Sequence, residues 1–174
     1  MKNFEFRTST VSTNVFNKID NPTVLDIASS DGRKSAQLYF KSGQRPENWT
    51  ALDVNQTSLD ILQGFGCTTY QIELGTQKID SVVNGVFDVV LCTELLEHFK
   101  TTKEQLNILN EAIDRTGKFL VISFPRKPVL DNYKYGHKCK RMDVGTIESR
   151  MNEEFKIVNT YDNPSGQIIL IGER

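Results

Sequence analysis

The chain has 174 residues, of which 38% are hydrophobic and 25% charged, and its formal net charge is −1. These values exclude a disordered chain and a strongly basic protein that would attract nucleic acid over its whole surface, and they predict a globular domain. No apolar run is long enough to span a bilayer, no signal-peptide pattern opens the sequence, and the three cysteines lack C-x-x-C spacing, so we expect a cytoplasmic protein.

The first 22 residues are predicted to form an N-terminal helical segment. Apolar residues at positions 11, 15, 16 and 19 have helical spacing, which predicts a short helix from about Thr10 to Lys18. This helix is expected to pack on the sheet or to cover a ligand. Residues 23–174 are then expected to form one domain.

A strand, a turn of small residues and a helix follow this segment. The apolar run at 24–27 is typical of a buried parallel strand, predicted over 23–28, and a helix is predicted over 32–42. Small side chains let a ligand approach the backbone, and a helix N-terminus offers unpaired N–H groups. The pattern indicates the nucleoside- or phosphate-binding corner of a doubly wound α/β fold, with an ordinary strand-to-helix turn as the alternative. Its candidate residues are Asp26, Ala28, Ser29 and Gly32.

Two further strands are predicted in the first half of the chain. The strand over 49–54 ends in Asp53, which lies 27 positions after Asp26, about one helix and one strand later. An acid at this point accepts hydrogen bonds from ribose hydroxyls in dinucleotide-binding sheets. The next strand is predicted over 67–74, with Glu73 near its end.

The fourth predicted strand, over 86–92, is followed by polar residues where open α/β sheets bind ligands. These residues are Thr93, Glu94, Glu97 and His98. If a helical turn starts at residue 94, the two glutamates and the histidine share one face.

The second half of the chain completes the predicted fold. An amphipathic helix over 101–116, a strand over 118–124, a polar loop over 125–142 and a helix over 143–151 precede two strands, at 154–161 and 167–172, joined by a hairpin turn. The sequence therefore predicts an α/β, Rossmann-like, seven-stranded and mostly parallel sheet with an antiparallel C-terminal hairpin and helices on both faces.

At this point the chain resembles the class I S-adenosylmethionine-dependent methyltransferases over residues 20–174. Asp26-Ile-Ala-Ser-Ser-Asp-Gly32 corresponds to the motif D-x-G-x-G-x-G, with Ala28 and Ser30 in place of its first two glycines. Asp53 corresponds to the ribose acid, Phe87–Thr93 to the fourth-strand motif and Gly117–Ser123 to the fifth strand. The order and spacing of these motifs carry the resemblance.

The resemblance implies S-adenosylmethionine as cofactor and methyl transfer to an oxygen or nitrogen nucleophile of an unidentified acceptor. Glu73 and Leu74 would border the adenine, next to Val54, and Thr93 and Glu94 would lie near the methionine end or the acceptor. The remaining implied cofactor residues are Asp26, Ala28, Ser29, Gly32 and Asp53.

Three interpretations of the segment Glu94-Leu-Leu-Glu-His98 stay open. Glu97 and His98 could only orient the turn. Alternatively, His98 is a general base with Glu94 beside it, since an unperturbed imidazole takes up a proton near neutral pH. In the third interpretation a divalent metal is bound by Glu94, Glu97, His98 and His137. The pattern E-x-x-E-H resembles both the small-RNA 3′-terminal 2′-O-methyltransferases and the ubiquinone-pathway O-methyltransferases.

The loop after the fifth strand is basic. Residues 126–143 carry six basic and two acidic side chains, with Tyr133 and Tyr135 between them. Basic residues with interleaved aromatics can hold a phosphate backbone and stack bases, so the 126–141 loop is a candidate contact for nucleic acid, with a solvated surface loop as the alternative.

Other functional classes are also consistent with the sequence. The altered glycines allow a cofactor-binding or vestigial module that acts through a partner. A metal-dependent RNA 2′-O-methyltransferase is a further alternative. A nucleotide-sugar or NAD enzyme is disfavoured by the antiparallel C-terminal hairpin.

Overall fold

The computed structural model describes residues 3–29, 39–41, 43–126, 138, 143–162 and 166–174. Seven strands form a single sheet in the order β3-β2-β1-β4-β5-β7-β6. Their bounds are β1 Val24–Ile27, β2 Trp49–Asp53, β3 Thr68–Gln71, β4 Phe87–Thr93, β5 Thr116–Pro125, β6 Ile157–Asp162 and β7 Gln167–Glu173.

Six strands run in one direction, and β7 runs against its neighbours β5 and β6. This confirms the predicted mostly parallel sheet with an antiparallel C-terminal hairpin. The chain starts in the middle of the sheet with β1, adds β2 and β3 on one side, and then crosses to the other side of β1 to form β4.

Helices cover both faces of the sheet, and each face has its own apolar core. The helices are α1 Asn3–Asn14, α2 Gln56–Gly64, α3 Thr102–Asp114 and α4 Val144–Asn152. On one face Val11 of α1, Val15 just after it, and Leu59 and Leu62 of α2 are buried against strand residues that include Val24 and Ala51. On the other face α3 and α4 bury Ile108, Leu109, Ala112, Ile113, Ile147 and Met151 against Leu25, Ile27 and Leu52.

Side chains of the sequence determine where the longer helices begin. Thr101 caps α3 in a capping box, because its side chain accepts from the Glu104 N–H and the Glu104 side chain accepts from the Thr101 N–H. Asn55 and Asp143 cap α2 and α4 in the simpler way, with the side-chain oxygen accepting from the third residue of each helix.

The N-terminal helix differs from its prediction. It spans Asn3–Asn14, and a separate short turn follows at Phe16–Lys18, whereas one helix over Thr10–Lys18 was predicted. Val11, Val15 and Phe16 lie in the core, so this segment packs on the sheet. The helix predicted over 32–42 lies outside the described residues except for residues 39–41, which are helical. Within the described residues, no helix combines the length and apolar character needed to cross a bilayer.

Candidate active site

The candidate site lies at the carboxyl ends of β1 and β4. These strands are neighbours in the sheet, and β1 aligns with β2 on its other side. The chain continues from β1 to β2 on one side and from β4 to β5 on the other, so the two connections diverge and leave a crevice between them. Such a switch point is where open α/β sheets bind their ligands.

The turn after β1 has a backbone that favours a small residue. Ala28 adopts a left-handed conformation, with φ of 59°, which an L-residue adopts only at a cost in free energy. The next residue, Ser29, donates its N–H to the carbonyl of Leu52 at 3.0 Å. Its side chain is buried, with 7% of its surface exposed, and among the described residues its hydroxyl has no hydrogen-bond partner. A buried hydroxyl without a partner is costly, and a ligand in the crevice would supply one.

Asp26 is buried in β1 beneath this turn. Burial raises its pKa to about 7, because a low dielectric disfavours the charged carboxylate. The indole of Trp49 and the guanidinium of Arg7 lower this pKa, and the carboxylate of Asp53 raises it further. The group therefore titrates near neutral pH.

The carboxyl end of β2 presents an acid followed by an exposed apolar side chain. Asp53 is mostly buried and accepts the N–H of Asn55 on Oδ1 at 2.8 Å. Val54 has 61% of its surface exposed, although it adjoins a buried strand. A carboxylate beside an exposed apolar surface suits a ribose next to a flat base.

The loop after β3 lies beside this end of β2, because Ile72 donates its N–H to the carbonyl of Asp53 at 2.9 Å. Glu73 is exposed, and its N–H donates to the Gln77 side chain at 2.9 Å. Leu74 is half-buried against the core. Glu73 lies beyond β3, which ends at Gln71, although the strand was predicted to extend to residue 74.

The end of β4 holds the second left-handed residue of the crevice. Thr93 pairs with Ser123 of β5, and the chain then turns sharply at Glu94, where φ is 56°. The N–H of Glu94 donates to the Ser123 carbonyl at 2.7 Å. Strained backbone of this kind is concentrated at functional sites, and here it occurs at the ends of both strands that border the crevice.

The Glu94 side chain is held by three residues from three different elements. Gln167 of β7 donates Nε2 to Oε1 at 2.7 Å, and Ser123 of β5 donates its hydroxyl to the same oxygen at 3.1 Å. Arg7 of α1 forms an ion pair with it, with Nη1 at 3.6 Å from Oε1. The N-terminal helix thus reaches the candidate site.

The segment after Glu94 does not form the expected helical face. Only Leu96–His98 forms a short helical turn, and Glu94 precedes it with a left-handed backbone. Glu97 is fully buried, whereas His98 is partly exposed and donates its N–H to the Leu95 carbonyl at 3.0 Å. The sharp turn at Glu94 is the physical reason, because it breaks the helical periodicity on which the prediction relied.

Glu97 nevertheless interacts with Glu94. Burial raises the pKa of Glu97 well above its usual range, the nearby Glu94 carboxylate raises it further, and Arg7 opposes the rise. Arg7 therefore influences three acids: Asp26, Glu94 and Glu97.

The metal interpretation stays a prediction. Among the described residues, no group of three or more His, Cys, Asp or Glu side chains is arranged to hold a metal. His137 and Gly32 lie outside the described residues, as does most of the 126–141 loop. Lys138, which follows His137 in the sequence, donates its N–H to the Glu97 carbonyl at 2.9 Å. At this residue the basic loop contacts the E-x-x-E-H turn.

Sequence reasoning missed three residues of this site: Arg7, Ser123 and Gln167. No local motif identifies them, since each contacts Glu94 from a distant part of the chain. Ser123 closes the fifth-strand motif, and its polar side chain at a strand's carboxyl end is a signal that could have been used.

Comparisons with known proteins agree with this architecture. No protein-family model and no curated protein sequence matches the chain. Solved structures do match, including an O-methyltransferase family protein from Burkholderia thailandensis, with a TM-score of 0.72 and 16% identity over 98% of this chain. This chain covers 55% of that protein, about half its length.

Two other matches extend over most of the matched protein. Magnesium protoporphyrin IX methyltransferase from Synechocystis PCC 6803, with bound S-adenosylhomocysteine, matches with a TM-score of 0.71 and 13% identity over 98% of this chain and 81% of that one. An N-methyltransferase from Bradyrhizobium japonicum WM9 matches with a TM-score of 0.68 and 12% identity over 99% and 97%. At these identities the similarity establishes the fold.

Proposed function

We propose that this chain, which has the fold of the class I S-adenosylmethionine-dependent methyltransferases, transfers a methyl group from S-adenosylmethionine to an oxygen or nitrogen nucleophile. The crevice between β1 and β4 carries this proposal. It combines two left-handed residues with a buried serine hydroxyl that has no partner among the described residues, at the point of the sheet where the strand order reverses between β1 and β4. Strained backbone and buried polar groups without a partner both lower stability, and proteins retain them mainly at functional sites.

The residues around the crevice fit this cofactor from one end to the other. Asp53 would accept hydrogen bonds from the ribose hydroxyls. Val54 would pack on the adenine, bordered by Glu73 and Leu74. Ser29 would donate its hydroxyl to the cofactor, next to Ala28 and above Asp26.

The bound cofactor supplies the activated methyl group and a good leaving group. The protein has to align the acceptor with the methyl group and remove a proton from it. His98 is our candidate for the base, and Glu94, with Thr93 before it, is the candidate for holding the reacting groups. His98 is partly exposed in the turn after β4.

A metal-assisted reaction on RNA is the second candidate, favoured by the contact between Lys138 and Glu97. This hydrogen bond connects the basic loop to the turn that carries Glu97 and His98. A loop with clustered positive charge at this position would bring a phosphate backbone close to the reacting groups. The metal would then be held by Glu94, Glu97, His98 and His137.

Calorimetric titration with S-adenosylmethionine and S-adenosylhomocysteine tests the main proposal, with NAD as the comparison ligand. We expect both sulfur ligands to bind and NAD not to bind. Absence of heat with all three ligands would favour a vestigial module that acts through a partner. Binding of NAD alone would favour the nucleotide-enzyme alternative.

A further inference from the structure

Glu94 uses only one of its two carboxylate oxygens within the protein. The contacts from Gln167, Ser123 and Arg7 all meet at Oε1. In the described part of the chain no hydrogen bond reaches Oε2, and 39% of the side chain is exposed. A carboxylate fixed through one oxygen presents the other in a defined direction, ready to accept hydrogen bonds.

The elements that fix Glu94 make this orientation rigid. Gln167 is 97% buried on the antiparallel strand β7, and Ser123 is fully buried on β5. The left-handed backbone at Glu94 itself sets where the side chain leaves the strand end. Because both hydrogen-bond donors belong to interior strands of the sheet, Oε1 cannot move far without breaking buried contacts, and this restricts the positions open to Oε2.

The position of Glu94 indicates which ligand group it meets. Asp53 ends β2, Ala28 follows β1 and Glu94 follows β4, so the two acids lie two strand spacings apart, about 10 Å at about 4.8 Å per spacing. A ligand whose ribose lies on Asp53 and which extends across the β1 turn would place its far end at Glu94. In S-adenosylmethionine that end is an amino acid, whose α-ammonium carries three donors and a positive charge.

We propose that Gln167 and Ser123 are positioning residues that fix Glu94 through Oε1, so that Oε2 accepts a hydrogen bond from the α-ammonium of the cofactor's amino-acid end. This inference rests on the proposed function and adds to it a specific contact and its supporting residues. It also explains why a buried glutamine from β7, 73 positions away in the chain, donates to Glu94.

Two ligands that differ only in this end provide the test. S-Adenosylhomocysteine has the amino acid, whereas 5′-methylthioadenosine has the same nucleoside and a neutral sulfur but no amino acid. In Glu94→Gln, the three contacts at Oε1 keep the amide oxygen in place and direct the amide nitrogen to the position of Oε2. A donor then faces a donor, so we expect S-adenosylhomocysteine to bind roughly 10–100-fold more weakly by calorimetry and 5′-methylthioadenosine to bind as before.

Gln167→Met tests the positioning role, because it keeps the size of the side chain and removes the donor. We expect the affinity for S-adenosylhomocysteine to fall about tenfold and the affinity for 5′-methylthioadenosine to stay unchanged. Thr160→Val is the matched control on β6. It removes a comparable 2.6 Å hydrogen bond to a carboxylate, that of Glu148, and should change neither affinity.

Three outcomes would overturn the inference. If Glu94→Gln weakens the binding of both ligands equally, Glu94 acts through the general structure of the site. If it weakens neither, the α-ammonium binds elsewhere and Glu94 is left for the acceptor, while the proposed function stands. A wild-type protein that binds neither ligand removes the proposed function and this inference together.

Discussion

The two ends of the β1–β4 pair have opposite chemical character. At the amino end, the N–H and hydroxyl of Thr23 donate to Asp88 Oδ2 at 2.8 and 2.7 Å, and the Asp88 N–H donates back to the Thr23 hydroxyl at 3.0 Å. At the carboxyl end, five or six residues further along each strand, the chain has two left-handed residues and a buried hydroxyl with no partner among the described residues. At the amino end the polar groups of Thr23 and Asp88 bind each other. At the carboxyl end the serine hydroxyl remains available to a ligand.

Under the proposed function, this contrast marks the place where the protein accepts costs in stability for the sake of a ligand. Burial of Asp26 and Glu97, a hydroxyl with no partner among the described residues, and left-handed backbone at Ala28 and Glu94 occur together at the carboxyl end. Near the amino end the left-handed residue is Asn21, a residue type that adopts this conformation more readily. The following predictions test whether the functional costs are confined to the carboxyl end.

Loss of His98 should have the largest effect. If His98 is the base, His98→Ala should lower kcat by about 10²–10⁴-fold, measured as transfer of labelled methyl from S-adenosylmethionine to an acceptor preparation that supports turnover. Thr23→Val, at the amino end, should leave kcat close to that of the wild type.

Excess chelator distinguishes the general-base interpretation of His98 from the metal interpretation. If His98 is a base, excess chelator leaves turnover intact and His137→Ala behaves like the wild type. Under the metal interpretation, chelator abolishes turnover, Mn, Co or Mg restores it, and His137→Ala reproduces the effect of the chelator.

Replacing Asp26 should change how stability depends on pH. The pKa of Asp26 rises from 3.8 to about 7 on folding, so the folded state holds a proton that the unfolded state releases. The free energy of unfolding should therefore fall as pH rises between about 4 and 7, by up to about 4 kcal/mol from this group. Asp26→Asn should lose this part of the dependence, as measured by urea unfolding at pH 4.5 and 7.5.

Glu97 is the internal reference for this experiment. The pKa of Glu97 is also raised by burial, but its contribution is present in both proteins and cancels in the difference. Parallel pH profiles for the wild type and Asp26→Asn would show that Asp26 does not titrate between folded and unfolded states as described.

Replacing one aspartate at each end of the strands should separate the effect on ligand binding from the effect on stability. Asp53→Ala should weaken the binding of S-adenosylhomocysteine by about 1.5–3 kcal/mol, because a charged hydrogen-bond partner is lost. It should leave the fold intact. Asp88→Ala should instead lower the free energy of unfolding by about 1–2 kcal/mol and leave ligand affinity unchanged. Calorimetry and urea unfolding of both variants give the comparison, and equal ligand affinity in Asp53→Ala and the wild type would remove Asp53 from the site.

Ala28→Gly should have the smallest effect, and it should be stabilising. Glycine removes the cost of the left-handed backbone, while its extra freedom in the unfolded chain offsets part of the gain. The net increase in the free energy of unfolding should be about 0.5–1 kcal/mol, or roughly 1–4 °C in Tm. Ala112→Gly, in the buried face of the last turn of α3, should lower Tm instead, since there glycine loses helix propensity and packing. A lower Tm for Ala28→Gly would contradict a strained turn.

The architecture could be predicted from the sequence because each element has a strong local pattern. The helix predicted over 101–116 is observed at Thr102–Asp114, and the strand predicted at 167–172 is observed at Gln167–Glu173. Apolar periodicity and capping residues determine such elements largely by themselves.

The start of α1 and the arrangement around Glu94 could not be predicted in this way. The first turns of α1 bury Arg7 and Thr8, and polar residues that become buried leave no apolar periodicity. The E-x-x-E-H segment has helical spacing, yet the left-handed conformation of Glu94 depends on its contacts with Ser123 and Gln167. Those contacts exist only once β5 and β7 have assembled, so the sequence indicated the candidate residues and not their geometry.

The reversal of strand order at β1 also has a consequence for the kinetics of folding. Thr23 and Asp88 are 65 positions apart, and their contact forms only after the segment containing β2, α2 and β3 has been looped out. Pairing over such separations is slow, because the chain loses loop entropy before it gains contacts. The crevice exists only after this pairing. We therefore expect a ligand to lower the unfolding rate of the native protein and to leave the folding rate unchanged.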